Sequence, residues 1–222
     1  MTTPFARATV SEIAPLGFDA IKVASYDCGS EPLLRDVLAH WNTVVISTGA
    51  STDEEIARAA SLLRRSGRAG YLLHCVTIYP TPPDEMHLSR LLYLRMHWPL
   101  VGLSSHPRSD ALGIWPDMVA LALGADCIER HFTVLEAGAS RDGAVSITPA
   151  QLAELRAFAD LPIEERRERV RRDVPGWPAY LGSAIRPLSD TERLNRDYYR
   201  GRFATPDTAG GWAYNWEDRP IP

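Results

Sequence analysis

Six polar residues at the ends of apolar runs carry whatever chemistry this chain performs: His74, Tyr79, Ser104, His106, Glu129 and His131. They fall in three segments between Tyr71 and Thr133, namely YLLHCVTIYPTPP, PLVGLSSHP and DCIERHFT. In a parallel β/α sheet or barrel, the carboxyl ends of the strands build the site. A single apolar run ending in histidine is most often a core histidine with a hydrogen bond. Two successive runs ending in SSHP and ERHFT are harder to read that way. Neighbouring strands lie about 4.8 Å apart, so His106 and His131 are placed to close on one divalent ion.

The elements that must position these residues alternate strand and helix. AIKVAS (20–25) reads as a short strand, followed by a helix from Ser30 to Trp41 with Ser30 as its cap and Pro32 early, where a missing N–H does no harm. TVVIST (43–48) is a β-branched strand. Ser51 to Glu54 reads as a capping box, and Ile56, Ala59, Ala60 and Leu63 follow at helical spacing up to Gly67. GYLLHCV (70–76) is the third strand; the prolines after it forbid an immediate helix, and a helix is expected from Asp84 to Met96. LVGLS (100–104) and DCIERHF (126–132) are the fourth and fifth strands, with a helix from Pro116 to Leu123 between them. This alternation calls for parallel strands joined by right-handed crossovers.

After Phe132 the pattern changes. A polar loop, EAGASRDGAVS, leads to a capping box at Thr148–Gln151 and a helix to Phe158. Residues 164–173 are charged nearly all round and read as a solvated helix. Ser189 to Glu192 caps a last helix carrying Arg193, Arg196 and Arg200, and the tail holds Trp177, Trp212 and Trp216, so it is expected to pack. The expected organisation is a partial barrel domain over residues 1–160 and a helical, aromatic tail over 161–222 packing on that same domain.

The whole chain has 222 residues, 45% of them hydrophobic and 23% charged, with a net charge of −4. Mild acidity argues against a nucleic-acid surface. No apolar run is long enough to span a membrane, and MTTPFARATV has no signal-peptide core. Three scattered cysteines, Cys28, Cys75 and Cys127, suit a reduced, cytoplasmic setting. There is no G-x-G-x-x-G, Walker loop, H-E-x-x-H or G-x-S-x-G, which leaves the strand ends as the places for chemistry.

Eight short motifs stand in one order: TPF, IKVAS, VISTG, LHCVxxYPTPP, GxSxH, LGIxP, ALGAxxIERHFT and LSDTExxNR. Together they resemble the N-acetylneuraminate (sialic acid) synthase family over residues 2 to 204. The resemblance implies a (β/α)8 TIM barrel that condenses phosphoenolpyruvate with an N-acylated amino sugar, giving a 2-keto sugar acid and phosphate with the help of Mn2+ or Mg2+. It implies that Thr3, Lys22, Ser25, Ser47 and Ser104 hold phosphoenolpyruvate. It implies that His106 and His131 are the metal ligands, that Tyr79 lines the pocket, and that Asp142 contacts the amino sugar. Lys22, Tyr79, His106, His131 and Asp142 are then the catalytic set.

Departures from the pattern are equally plain. Arg141-Asp-Gly-Ala144 stands where the family has P-D-H-K, and Ser105 where it has an aspartate. The C-terminal antifreeze-like domain is not in this sequence, and Met1-Thr-Thr-Pro-Phe5 begins at what would be the third barrel strand. The expectation is therefore an incomplete barrel of about five parallel strands, acting as a homo-oligomer or with a partner that supplies the remaining strands, and inactive in isolation. Two other functions stay open. One is a non-catalytic fragment that binds metal or sugar phosphate. The other is an aldolase-type barrel enzyme with a different acceptor.

Overall fold

The computed structural model describes residues 1–136, 138–200, 204–206 and 212–216. In chain order the elements are α1 (Ala8–Ile13), β1 (Ile21–Val23), α2 (Glu31–His40), β2 (Thr43–Ser47), α3 (Asp53–Ser66), β3 (Ala69–Cys75) and α4 (Arg90–His97). There follow β4 (Val101–Ser105), α5 (Ser109–Leu112), α6 (Trp115–Ala122), β5 (Cys127–Arg130), α7 (Pro149–Ala159), α8 (Ile163–Asp173), α9 (Asp190–Tyr199), β6 (Ala204–Pro206) and β7 (Trp212–Tyr214). Strands β1 to β5 are parallel and each is followed by helix, the repeating unit of a (β/α)8 barrel, of which five strands are formed among the described residues. No described helix is long and apolar enough to cross a membrane. The chain forms two compact units: Met1–Leu73 with His97–Pro99 and Pro187–Pro222, and His74–Met96 with Leu100–Arg186.

In the first unit β2 pairs with β1 (Lys22 beside Val45) and with β3 (Ser47 beside Leu73). On its other side, among the described residues, β1 meets Thr2, whose carbonyl accepts from the Lys22 amide at 2.8 Å. Ile21, Val23, Val44, Ile46 and Leu72 alternate onto the helix-covered face and pack with Leu33, Leu34, Ile56 and Leu63, all of them buried. Helix α2 begins as expected, with the Ser30 hydroxyl accepting from the Leu33 amide. The capping box of α3 lies one residue later than its expected place, at Thr52 and Glu55, because the Ser51 hydroxyl donates instead to the carbonyls of Ser25 and Gly49.

Glu55 does more than cap. Its carboxylate receives Arg196 at 2.6 and 2.8 Å and Arg200 at 2.7 Å, and the Arg200 guanidinium lies 3.5 Å over the Trp216 ring. Arg196 also donates to the carbonyl of Ala50, a non-glycine residue at φ 51°. Asn215, fully buried, accepts from the Arg7 amide, donates to the Phe5 carbonyl at 2.6 Å, and through its own carbonyl accepts from Ser30. Trp212, also expected to pack, has a side chain outside the described residues.

In the second unit β5 pairs with β4, Ser104 beside Glu129 and Ser105 beside Arg130. Past its end, Phe132 forms a parallel bridge with Ile147. Helix α4 starts at Arg90, six residues later than the sequence suggests. Residues 83–85 make a 3-10 turn, His87 has φ 47°, and the Leu88 and Ser89 amides donate to Tyr180 and Leu181. Helix α8 carries the expected outer ion pairs, Glu164–Arg167 and Glu165–Arg169, but it is not solvated all round. Val170 is buried and the Arg167 Nε donates to the Ala122 carbonyl at 3.3 Å, so one face of α8 docks on α6.

Candidate functional site

Side chains alternate across a strand, which decides which strand-end residues reach a common face. In β3, Leu73 and Cys75 share one face and His74 takes the other. His74 is buried, and its Nε2 lies 2.7 Å from the Met86 carbonyl, so it is a core histidine. Cys75, which the sequence presents as a small hydrophobe, belongs to the candidate site. Its Sγ lies 3.8 Å from the Tyr79 hydroxyl and 3.9 Å from Nδ1 of His106.

Around that contact the second unit gathers four of the expected residues. The rings of Tyr79 and His106 have centroids 4.1 Å apart, and those of His106 and His131 are 5.2 Å apart in an edge-to-face arrangement. Nδ1 of His131 lies 3.6 Å from an Asp142 carboxylate oxygen. The Thr81 amide donates to the His106 carbonyl at 2.8 Å, tying the proline-rich loop after β3 to the end of β4. The Tyr79–Pro80 peptide in that loop is cis. Burial grades across the group: His106 is 7% exposed, Tyr79 is 52% exposed and the His131 side chain is 40% exposed. A buried wall therefore faces an open mouth. Beside it lies a groove of about 410 Å3, lined by Pro80, Thr81, Pro82, Pro83, Arg108, Ala111 and Leu112.

Two imidazoles at this separation fit one ion held at about 2.1 Å per nitrogen. They supply two ligands only. Among the described residues no three His, Cys, Asp or Glu side chains are arranged to hold a metal, so water or substrate oxygen would complete such a site.

In the first unit Lys22 and Ser47 project from the same face of β1 and β2, since Lys22 pairs with Val45 and Ser47 is two residues on. Ser47 is fully buried, and its hydroxyl has no hydrogen-bond partner among the described residues. Ser25 is buried and opens a 3-10 turn directly after β1, while Thr3 adjoins the Thr2 bridge. Ser104, in the second unit, is buried on the Glu129 face of its sheet, two residues before His106.

Residues 1–160 match the NeuB family. The chain belongs to that family. Among its relatives, the N-acetylneuraminate-9-phosphate synthase of Drosophila melanogaster is 34% identical over 146 residues, 64% of this chain and 38% of the relative. The N,N'-diacetyllegionaminic acid synthase of Campylobacter jejuni is 33% identical over 159 residues, 70% of this chain and 46% of the relative. The crystal structure of the spore coat polysaccharide biosynthesis protein SpsE of Bacillus subtilis is similar in fold, with a TM-score of 0.75 and 22% identity over 96% of this chain and 61% of that one. This NeuB-family chain spans about half the length of the curated relatives it matches.

One further group at this end of the second unit escaped the sequence reading. Asp117, in the first turn of α6, lies 3.4 Å from the Arg130 guanidinium, with side-chain exposures of 0% and 3%. Arg130 also donates to the Ser105 hydroxyl at 3.2 Å. Burial pushes the Asp117 carboxyl up and the Arg130 guanidinium down, and their mutual attraction opposes both shifts. In the sequence both residues look like ordinary helix and strand charges; only their partnership marks them.

Proposed function

We propose that this chain carries the strand-end site of a sugar-acid synthase that joins phosphoenolpyruvate to the aldehyde of an N-acylmannosamine-like sugar, consuming one water as the bond to phosphate breaks and giving a 2-keto sugar acid and phosphate. The observation that carries the reading is the Cys75–Tyr79–His106–His131–Asp142 cluster at the strand ends of a NeuB-family chain. In the first unit Lys22, Ser25, Ser47 and Thr3 are the groups suited to phosphoenolpyruvate, and in the second unit Ser104 is. A phosphate and a carboxylate need a cation and many donors, and short hydroxyl side chains at strand ends supply donors without bulk.

His106 and His131 hold a divalent ion, Mn2+ or Mg2+, through the nitrogens turned away from Cys75 and Asp142. When bound, the ion polarises the sugar's carbonyl oxygen. Asp142 keeps the His131 ring oriented and faces the sugar, and Tyr79 packs with its ring tilted against His106 at the open mouth. The groove beyond Pro80 receives the sugar's acyl substituent, since its lining is mostly proline and aliphatic.

The test is direct binding of phosphoenolpyruvate to the 222-residue chain by titration calorimetry, with and without Mn2+. Lys22→Met is expected to weaken binding at least tenfold, about 1.4 kcal/mol, because a cation is removed from opposite the ligand's anionic groups, while the melting temperature changes little. Equal affinity in parent and variant removes Lys22 from the site.

A further inference from the structure

We propose that Asp117 and Arg130 are positioning residues: a buried ion pair on the helix side of the sheet that fixes how far His106 and His131 stand from each other on the opposite side. Ser105 pairs with Arg130, so the two side chains emerge on one face of β4 and β5. Each immediately precedes one of the histidines, which alternation turns to the other face. Arg130 reaches across to the Ser105 hydroxyl at 3.2 Å and lies 3.4 Å from Asp117, which is anchored in the first turn of α6. One planar guanidinium thereby ties two strands and a helix together at the last registered pair before the histidines.

The strand that needs tying is β5. It has four residues, all of intermediate exposure, so neither length nor burial holds its end firmly against β4. Stability alone is a poor reason for the pair. Removing two charges from water is costly, and apolar residues of similar volume in their place are often neutral or stabilising. What an apolar replacement cannot do is fix direction: methionine and leucine pack in several arrangements, whereas the single Arg130 Nη1 stands 3.2 Å from the Ser105 hydroxyl and 3.4 Å from the Asp117 carboxylate and so is held between them. The expected result of losing it is a sheet that still folds but whose two histidines no longer keep their 5.2 Å edge-to-face geometry.

The metal-binding part of this inference rests on the proposed function; the geometric part does not, and the experiment separates them. In metal-free protein with labelled histidines, ring-to-ring nuclear Overhauser contacts between His106 and His131 are measured for the parent, for Arg130→Lys, and for the double variant Asp117→Leu/Arg130→Met. Mn2+ affinity is measured on the same samples by electron paramagnetic resonance. The parent is expected to show the ring contact. The double variant is expected to melt within a few degrees of the parent, to lose the ring contact, and to bind Mn2+ at least tenfold more weakly. Arg130→Lys, which keeps the charge without the planar guanidinium that places Nη1 between Ser105 and Asp117, is expected to fall between. If the parent shows the ring contact but binds no Mn2+, the metal reading falls while the ring contact still decides the positioning role. A double variant that retains the ring contact overturns the proposal and leaves the pair a structural element only.

Discussion

Asp27 is a carboxylate that folding takes out of water. Burial lifts its pKa from 3.8 to about 6, and hydrogen bonding from Asn215, whose Nδ2 lies 3.4 Å away, pulls it only partly back. The folded state thus holds the proton more tightly than the unfolded chain does. The group's contribution to stability is complete below about pH 4 and is lost as pH rises through about 6. Asp27→Asn is expected to match the parent at pH 4 and to be more stable at pH 8 by up to about 3 kcal/mol, as read from urea unfolding at the two pH values. A parent whose stability does not fall between those values counts against the burial account. Of the site residues, the sequence shows those whose type is unusual at a strand end: His106, His131, Tyr79 and Lys22 stand out against apolar runs. Cys75 does not, because a cysteine in such a run is indistinguishable from a small hydrophobe until its distance to His106 is known. The Asp117–Arg130 pair is hidden for a related reason. Its members are 13 residues apart, in a helix and a strand whose relative placement no local pattern encodes.

At the scale of elements, strands and caps were legible because they depend on local chemistry. All five strands fall within a few residues of their expected bounds, and the boxes at Thr148 and Ser189 are where the spacing puts them. The misplacements have tertiary causes. Ser51 is drawn off to two carbonyls, the start of α4 is delayed by amides committed to Tyr180 and Leu181, and α8 is docked by one valine. Glu55 joins α3 to α9, and both its guanidinium partners are largely shielded from solvent. Glu55→Ala is expected to cost about 3–5 kcal/mol, because it strands two arginines. Thr52→Ala, which removes only the cap, is expected to cost about 1 kcal/mol; the two are compared by urea midpoints. The groove beside the site makes a prediction for α5. Ala111→Trp is expected to reduce binding of a long-chain N-acyl sugar severalfold more than that of the N-acetyl sugar, by competition titration. An equal loss for both would place the acyl group elsewhere.

For the molecule as a whole, the outer edges of β1 and β5 matter most. Among the described residues the outer edge of β1 is met by one isolated bridge, Thr2 beside Ile21, and the chain just past β5 by another, Ile147 beside Phe132, so neither strand carries a full outer ladder there. Edge strands are commonly blunted by charge, proline or a bulge; β1 offers one lysine. The 24.6 kDa chain is therefore expected to elute in size-exclusion chromatography as a dimer or larger, with the equilibrium shifting on dilution; a single monomeric peak at all concentrations would show that the bridges suffice. The Glu55 network carries a consequence of another kind, one of timing. A ribosome delivers the chain from its amino end, and Glu55 emerges 141 residues before Arg196. Until then its carboxylate has only the cap of its own helix, and the carbonyl of Ala50 has no guanidinium to hold the left-handed turn just after Ser47. That turn is expected to reach its final form late, once residues near 196 are free to fold, so the loop just beyond Ser47 is expected to be among the last parts of the first unit to mature.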